Sequence, residues 1–394
     1  MSKIGAMTRF ETLKGKGSAF LLFLWFLWFL TMSFRIIFAP LMPLIEDDFK
    51  ISHAAAGAIF GLMYLGYGVS VFLTGIGTGL VGCKRLITLS LLLSSFVCLL
   101  IPAVQDFHGF MICAFVIGLS TGMYLPAALP IIAQRFQPKI WGRSIAIHDS
   151  AASLSIFAVP FLALFLLKFF PWKQVVFLFG VIGLLTIGVH SLVNRELVIS
   201  KMKEERILGG LLRDPAIWIM GSMWAFACGA SLGLYSIIPL YLTKELGFDV
   251  SHANWIFGWS RIGGVIVSVG TGFVVDRFSL KKTKFLLILI TGVLTVVLAA
   301  RDVKVVETAL FLQAAVSIAF FPAGLVAISR LFSDKQRSMA MGLILTVGVV
   351  FGIGVVPYLL GVAGDLLSFR FGIALLGMCL IASSGLAWCL KGVR

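Results

Sequence analysis

The sequence predicts an all-α membrane protein whose twelve transmembrane helices form two related six-helix bundles. Three observations predict it. Of 394 residues, 60% are hydrophobic and 12% charged, against about 25% charge in ordinary soluble domains, and the mean hydropathy is +1.05. Apolar runs long enough to cross a bilayer recur along the whole chain. Features of the first six runs return in the second six at a shift of about 197 residues.

Taken in order, the runs cover about 18–45, 54–82, 85–104, 109–133, 144–167 and 174–193. After a polar break come 216–242, 253–275, 284–300, 306–329, 338–364 and 371–390. Runs of this length span only as helices, because every backbone polar group must be satisfied within the segment. The predicted organisation is a terminal segment 1–17, a bundle 18–193, a linker 194–215, a bundle 216–390 and a tail 391–394. With both ends on one side, the loops on that side carry 23 Lys and Arg and the opposite loops 7. Positive charge marks the cytoplasmic side, so both termini are expected in the cytoplasm, in a cell inner or plasma membrane.

The net charge of +15 is therefore a topology signal, and no basic domain remains to carry nucleic acid. Cys83, Cys98, Cys113, Cys228, Cys379 and Cys389 fall in or beside apolar runs, without CxxC or a His/Cys cluster, so neither a disulfide framework, a metal site nor a bound cofactor is expected. Gly77, Gly79 and Gly82 spell a dinucleotide fingerprint, but they end an apolar run instead of joining a strand to a helix. The first run is too long for a cleaved leader and continues into Arg35. The small-residue pairs Gly57/Gly61, Gly118/Gly122 and Gly229/Gly233 suit close helix packing. The acidic stretch 46–48 reads as a solvated loop, and Asp365 as interfacial.

The repeat is visible in residues. "AGAIFGLMYLGYG" (56–68) lies over "ANWIFGWSRIGG" (253–264), which puts Tyr64 opposite Arg261. "TGIGTGLVGCKR" (74–85) lies over "TGFVVDRFSLKK" (271–282), and Pro126 over Pro322. Parallel repeats joined by a basic linker are the architecture of one class of secondary transporter, with its site at the repeat interface. The stretch "GFVVDRFSLKK" (272–282) resembles the G-x-x-x-D-R-x-x-x-[RK]-[RK] loop of the major facilitator superfamily, and the resemblance covers essentially the whole chain. It implies a cytoplasmic gate built from Gly272, Asp276, Arg277, Lys281 and Lys282, mirrored by Gly75, Gly79, Lys84 and Arg85. In the first copy Gly79 stands where the acid is usual and Leu80 where Arg is usual.

Two charges lie deep in apolar runs. Arg35 and Arg261 fall roughly 15 and 12 Å from the outer end at 1.5 Å per residue, and Tyr64 and Tyr235 share that layer. No carboxylate stands at their level, and a charge so placed costs a few kcal/mol, on the order of 3, on insertion scales. The resemblance implies that the first, second, seventh and eighth helices border a central cavity, where these four side chains would bind an anion. The competing reading is structural: Arg35 snorkels or meets the broken backbone near Pro40 and Pro43, and Arg261 caps carbonyls. "SFRIIFAPLMPLIEDDF" (33–49) also looks like the first helix of the anion:cation symporter branch, although the charged residues usual in that branch's fourth helix are missing from 115–130. His148 and Asp149, just inside the fifth run, are candidates for proton coupling or gating, or else a helix-start pair with the preceding loop.

The expected function is secondary transport of a small organic anion, a carboxylate, phosphate ester or sulfonate, by a proton-coupled monomer that works by alternating access. The alternative is a proton-driven exporter of drugs or metabolites with the same fold. An enzyme is not expected, since no acid, nucleophile or metal stands beside the arginines.

Overall fold

The computed structural model describes residues 15–137, 140–193, 205–264, 267 and 279–390. The first span is two helices, Lys16–Ile36 and Phe38–Phe49. Its break has a simple cause: Pro40 has no N–H to give to Ile36, and its ring crowds that carbonyl. The fourth span breaks the same way, Phe107–Gly122 giving way to Tyr124–Arg135 four residues before Pro126. The second, third, fifth and sixth spans are His53–Val81, Cys83–Leu100, Trp141–Leu167 and Trp172–Val193.

A short helix, Glu205–Leu212, leads into the second half. The seventh span begins as Pro215–Cys228, widens to a π-helix at Gly229–Gly233, continues as Leu234–Leu240 and widens again at Tyr241–Glu245. The eighth starts at Val250–Trp259, the ninth is Leu280–Val297 and the tenth Val303–Leu331. The eleventh runs Asp334–Val347, Gly348–Val355 as a π-helix, then Val356–Leu366. Phe369–Ser384 and Leu386–Cys389 form the twelfth. Ten of these are long and apolar enough to cross a bilayer among the described residues; the eighth is described only in part, and the ninth opens on Lys281, Lys282 and Lys284.

Each half packs on glycine. A Cβ at Gly118 would collide with the Met63 carbonyl, which locks the fourth span to the second, and one at Gly292 would lie 2.8 Å from the Ile381 nitrogen, which joins the ninth to the twelfth. The halves then meet at the end of the molecule far from both termini, the distal end. There the second and eleventh spans form a seam: Cβ atoms at Gly57 and Gly361 would strike the carbonyls of Pro357 and His53, and one at Gly61 would lie 3.3 Å from the Gly354 carbonyl. The fifth and eighth spans meet with Phe157 and Phe161 edge-on to Trp259, at 5.9 and 5.7 Å. Asn254 donates its amide to the Pro40 carbonyl at 2.9 Å.

The stretch 46–48 corrects the solvated-loop expectation. It is the last turn of Phe38–Phe49, and Glu46 is only 6% exposed. Its carboxylate meets His53 Nδ1 at 2.8 Å and Lys244 Nζ at 3.7 Å, while Asp47 also binds Lys244. Three consecutive acids read as solvent-facing because their basic partners come from the start of the second span, the start of the sixth and the other half.

Candidate substrate site

Arg35 lies in the last turn before the break of the first span, so its side chain leaves the helix where the backbone turns aside. Its guanidinium carbon sits 4.0 Å from the Tyr67 ring centre and 5.5 Å from that of Tyr64. Nη2 donates to Met32 Sδ at 2.9 Å, a weak acceptor. Nε is buried without a partner. Arg261, in the eighth span, repeats the arrangement in the other half: its guanidinium carbon is 4.7 Å from Tyr235 and 5.5 Å from Phe257, and its Nε is also buried and unpartnered.

The two arginines are 5% and 4% exposed, and neither joins an ion pair among the described residues. Rings cover the guanidinium faces, and what remains is the planar N–H edge, the part that grips an oxyanion in two-point contact. Tyr64 and Tyr235, from opposite halves, lie within electrostatic reach of each other and so bring the two clusters into one region. Tyr235 also donates its hydroxyl to the Ile156 carbonyl across the halves, at 3.3 Å. Tyr67, Met32 and Phe257 were not among the expected residues. Tyr67 stands three positions after Tyr64, a spacing that places both on one helix face.

His148 and Asp149 enter different surroundings, because neighbours on a helix point about 100° apart. His148 is fully buried in a stack with Trp28 and Tyr124, the three ring planes within 11° of one another. Tyr124 donates its hydroxyl to the Leu24 carbonyl at 2.7 Å and meets His148 Nε2 at 3.2 Å. Asp149 is exposed, beside Trp28. Trp28 lies seven residues before Arg35, on the same face of the first span.

Of the expected gate residues, Gly75 and Gly79 lie in the last turns of His53–Val81, and Lys84 and Arg85 open the third span. Lys281 and Lys282 open the ninth. Gly272, Asp276 and Arg277 lie outside the described residues.

The family model for the Major Facilitator Superfamily matches residues 24–300 and 226–394. The chain belongs to that superfamily. A protein of Arabidopsis thaliana described as a probable anion transporter, chloroplastic, is 24% identical over 343 residues, covering 78% of this chain and 66% of its own. The multidrug resistance protein MdtL of a Shewanella strain is 20% identical over 247 residues, 61% of this chain and 62% of its own. The chain thus spans about two thirds of the length of these relatives. Among solved structures, a bacterial homologue of the human lysosomal transporter Spinster, inward-facing and occupied, superposes with a TM-score of 0.82 at 14% identity, covering 95% and 97% of the two chains. A D-xylose–proton symporter gives 0.79 at 13%, over 96% and 98%. Fold and relatives are those of multi-pass membrane transporters, not enzymes.

Proposed function

We propose that this superfamily member moves a small organic anion, a carboxylate, phosphate ester or sulfonate, by alternating access between its halves, with Arg35 and Arg261 as the anion-binding groups. One observation carries the proposal: each half buries a guanidinium that has rings on its face, no carboxylate beside it and an unpartnered Nε. Enclosing an unpaired charge costs several kcal/mol, on the order of 3 to 5. A bound anion supplies the missing partner to both halves at once, so its arrival lowers the cost of closing over it. Tyr64, Tyr67 and Tyr235 then orient the guanidinium edges toward the ligand, and Met32, a weak acceptor, yields Nη2 to an oxygen. The Arabidopsis relative's description is in keeping with this substrate class.

Both termini face the cytoplasm in this reading, in an inner or plasma membrane, and the monomer is the working unit. A proton on Asp149 drives uptake, with His148 linking it through Trp28 to the face of the first span that carries Arg35. The gate motif at the termini end, Gly75, Gly79, Lys84 and Arg85 with Gly272, Asp276, Arg277, Lys281 and Lys282, holds that side shut in the opposite state.

The test is a thermal-shift screen of purified protein against carboxylates, sulfonates and phosphate esters, since ligand bound to the native state raises apparent stability. A hit that stabilises the parent and not Arg35→Gln or Arg261→Gln supports the proposal. The relative MdtL and the aromatic lining give a second reading, an exporter of neutral or cationic compounds; such compounds stabilising both Gln variants as well as the parent would establish it instead.

A further inference from the structure

The seam between the second and eleventh spans ends on an unusual contact. Pro357, Gly361 and Asp365 recur every four residues, so they line one face of Val356–Leu366. The first two lie against backbone of the second span. Asp365, one turn further out, accepts the His53 N–H on Oδ1 at 2.9 Å and the Ala54 N–H on Oδ2 at 2.8 Å. These are the first donors of His53–Val81, which have no partner inside their own helix. Ser52 takes the next, from Ala55, at 3.2 Å. A side chain of one half thus caps a helix of the other, with a carboxylate at the positive end of the helix dipole.

Two other polar ties cross this end: the buried Asn254 amide on the Pro40 carbonyl, between the eighth span and the first, and Lys244. Lys244 shares itself between Glu46, already bound by His53, and Asp47; Asp365 is exposed as Asp47 is, but it meets two fixed main-chain donors instead of one flexible ammonium. At its inner end the seam reaches the site: a Cβ at Gly354 would lie 3.6 Å from the Tyr64 Cβ. We infer that Asp365 is the latch of a distal gate: its capping of the second span closes the seam, and closure seats Tyr64 beside Arg35. Opening this side breaks both Asp365 bonds and leaves the His53 and Ala54 donors to water.

The inference uses the alternating access of the proposed function, but its test needs no substrate, so it can fail while anion binding stands, or stand while anion binding fails. Spin labels at Gln105→Cys and Arg301→Cys, exposed positions on the distal loops of the two halves, report gate opening by pulsed electron paramagnetic resonance on full-length protein in nanodiscs. Cys113, Cys379 and Cys389 are first replaced by Ser. Loss of a helix cap should raise the open-to-closed ratio roughly three- to thirtyfold in Asp365→Ala, and less in Asp365→Asn, which keeps an acceptor oxygen. Gly361→Ala, whose methyl would strike the His53 carbonyl, should open the gate by wedging the seam and carries the test if Asp365→Ala does not fold. Glu307→Gln, which removes the partner 3.9 Å from His252, should leave the distances unchanged. Distances unaltered in Asp365→Ala or, should it not fold, in both Asp365→Asn and Gly361→Ala, or a Glu307→Gln shift as large as theirs, would overturn the inference.

Discussion

Replacing Arg35 by Gln should weaken the binding of an anion while leaving the empty protein no less stable, and the opposite signs are the diagnostic. Arg35 is 5% exposed, with no ion pair among the described residues. Losing its stacking on Tyr67 and Tyr64 costs about 1–2 kcal/mol. Relieving an unpaired buried charge returns about 3–5 kcal/mol. The empty variant should therefore melt at or above the parent's temperature. Binding moves the other way, because truncating one partner of a desolvated charge contact costs about 2–5 kcal/mol, a factor of roughly 30 or more in Kd. Arg35→Lys keeps the charge but loses the planar fork and buries a more strongly hydrated ammonium, so it should lose about tenfold in affinity and melt below Arg35→Gln. The assay is thermal denaturation of the ligand-free variants, followed by calorimetric titration with an anion found by screening. A clear fall in melting temperature for Arg35→Gln with full affinity retained would refute the reasoning and make Arg35 a brace for Tyr67.

Three further outcomes are expected. Gly118→Ala should lower stability by about 1–3 kcal/mol, because its Cβ meets the Met63 carbonyl, which cannot rotate aside; Gly188→Ala, with nothing within 4 Å of its Cβ, is the neutral control in the same melting experiment. Gln313 donates Nε2 to the Ala230 carbonyl in the seventh span's π-helix at 2.8 Å and to Thr295 Oγ1 at 3.3 Å, so Gln313→Leu should cost about 1–3 kcal/mol by removing these buried hydrogen bonds, measured by thermal unfolding. Asp149→Asn should abolish uphill accumulation in proteoliposomes while sparing exchange of labelled for unlabelled substrate, and unchanged gradient-driven uptake would place the coupling group elsewhere.

Most helix ends could be read from the sequence to within a few residues, as with 144–167 against Trp141–Leu167 and 54–82 against His53–Val81. Apolar run length is set directly by bilayer thickness, which is why it survives without tertiary information. The break at Ile37 was foreshadowed by Pro40 and Pro43, whereas the break at Met123 and the π-helical segments were not expected, because they change backbone register without shortening the run. The two arginines stood out because charge is rare at that depth. Their rings were half visible: Tyr64 and Tyr235 shared the expected layer, whereas Tyr67 needed the helix spacing and Phe257 needed the packed eighth span. The distal ionic cluster joins residues 46 and 47 to 244, and such pairings arise only from tertiary packing.

The seam between the second and eleventh spans is built where glycines meet main chain: Gly57 against Pro357, Gly361 against His53, Gly61 against Gly354. Glycine has no rotamers to lose, so drawing these surfaces together freezes almost no side-chain freedom. Separating these glycine contacts likewise releases little side-chain freedom. If the halves part here as proposed, side-chain entropy along these contacts weighs little on either state, and the hydrogen bonds at the end of the seam bear correspondingly more on the balance.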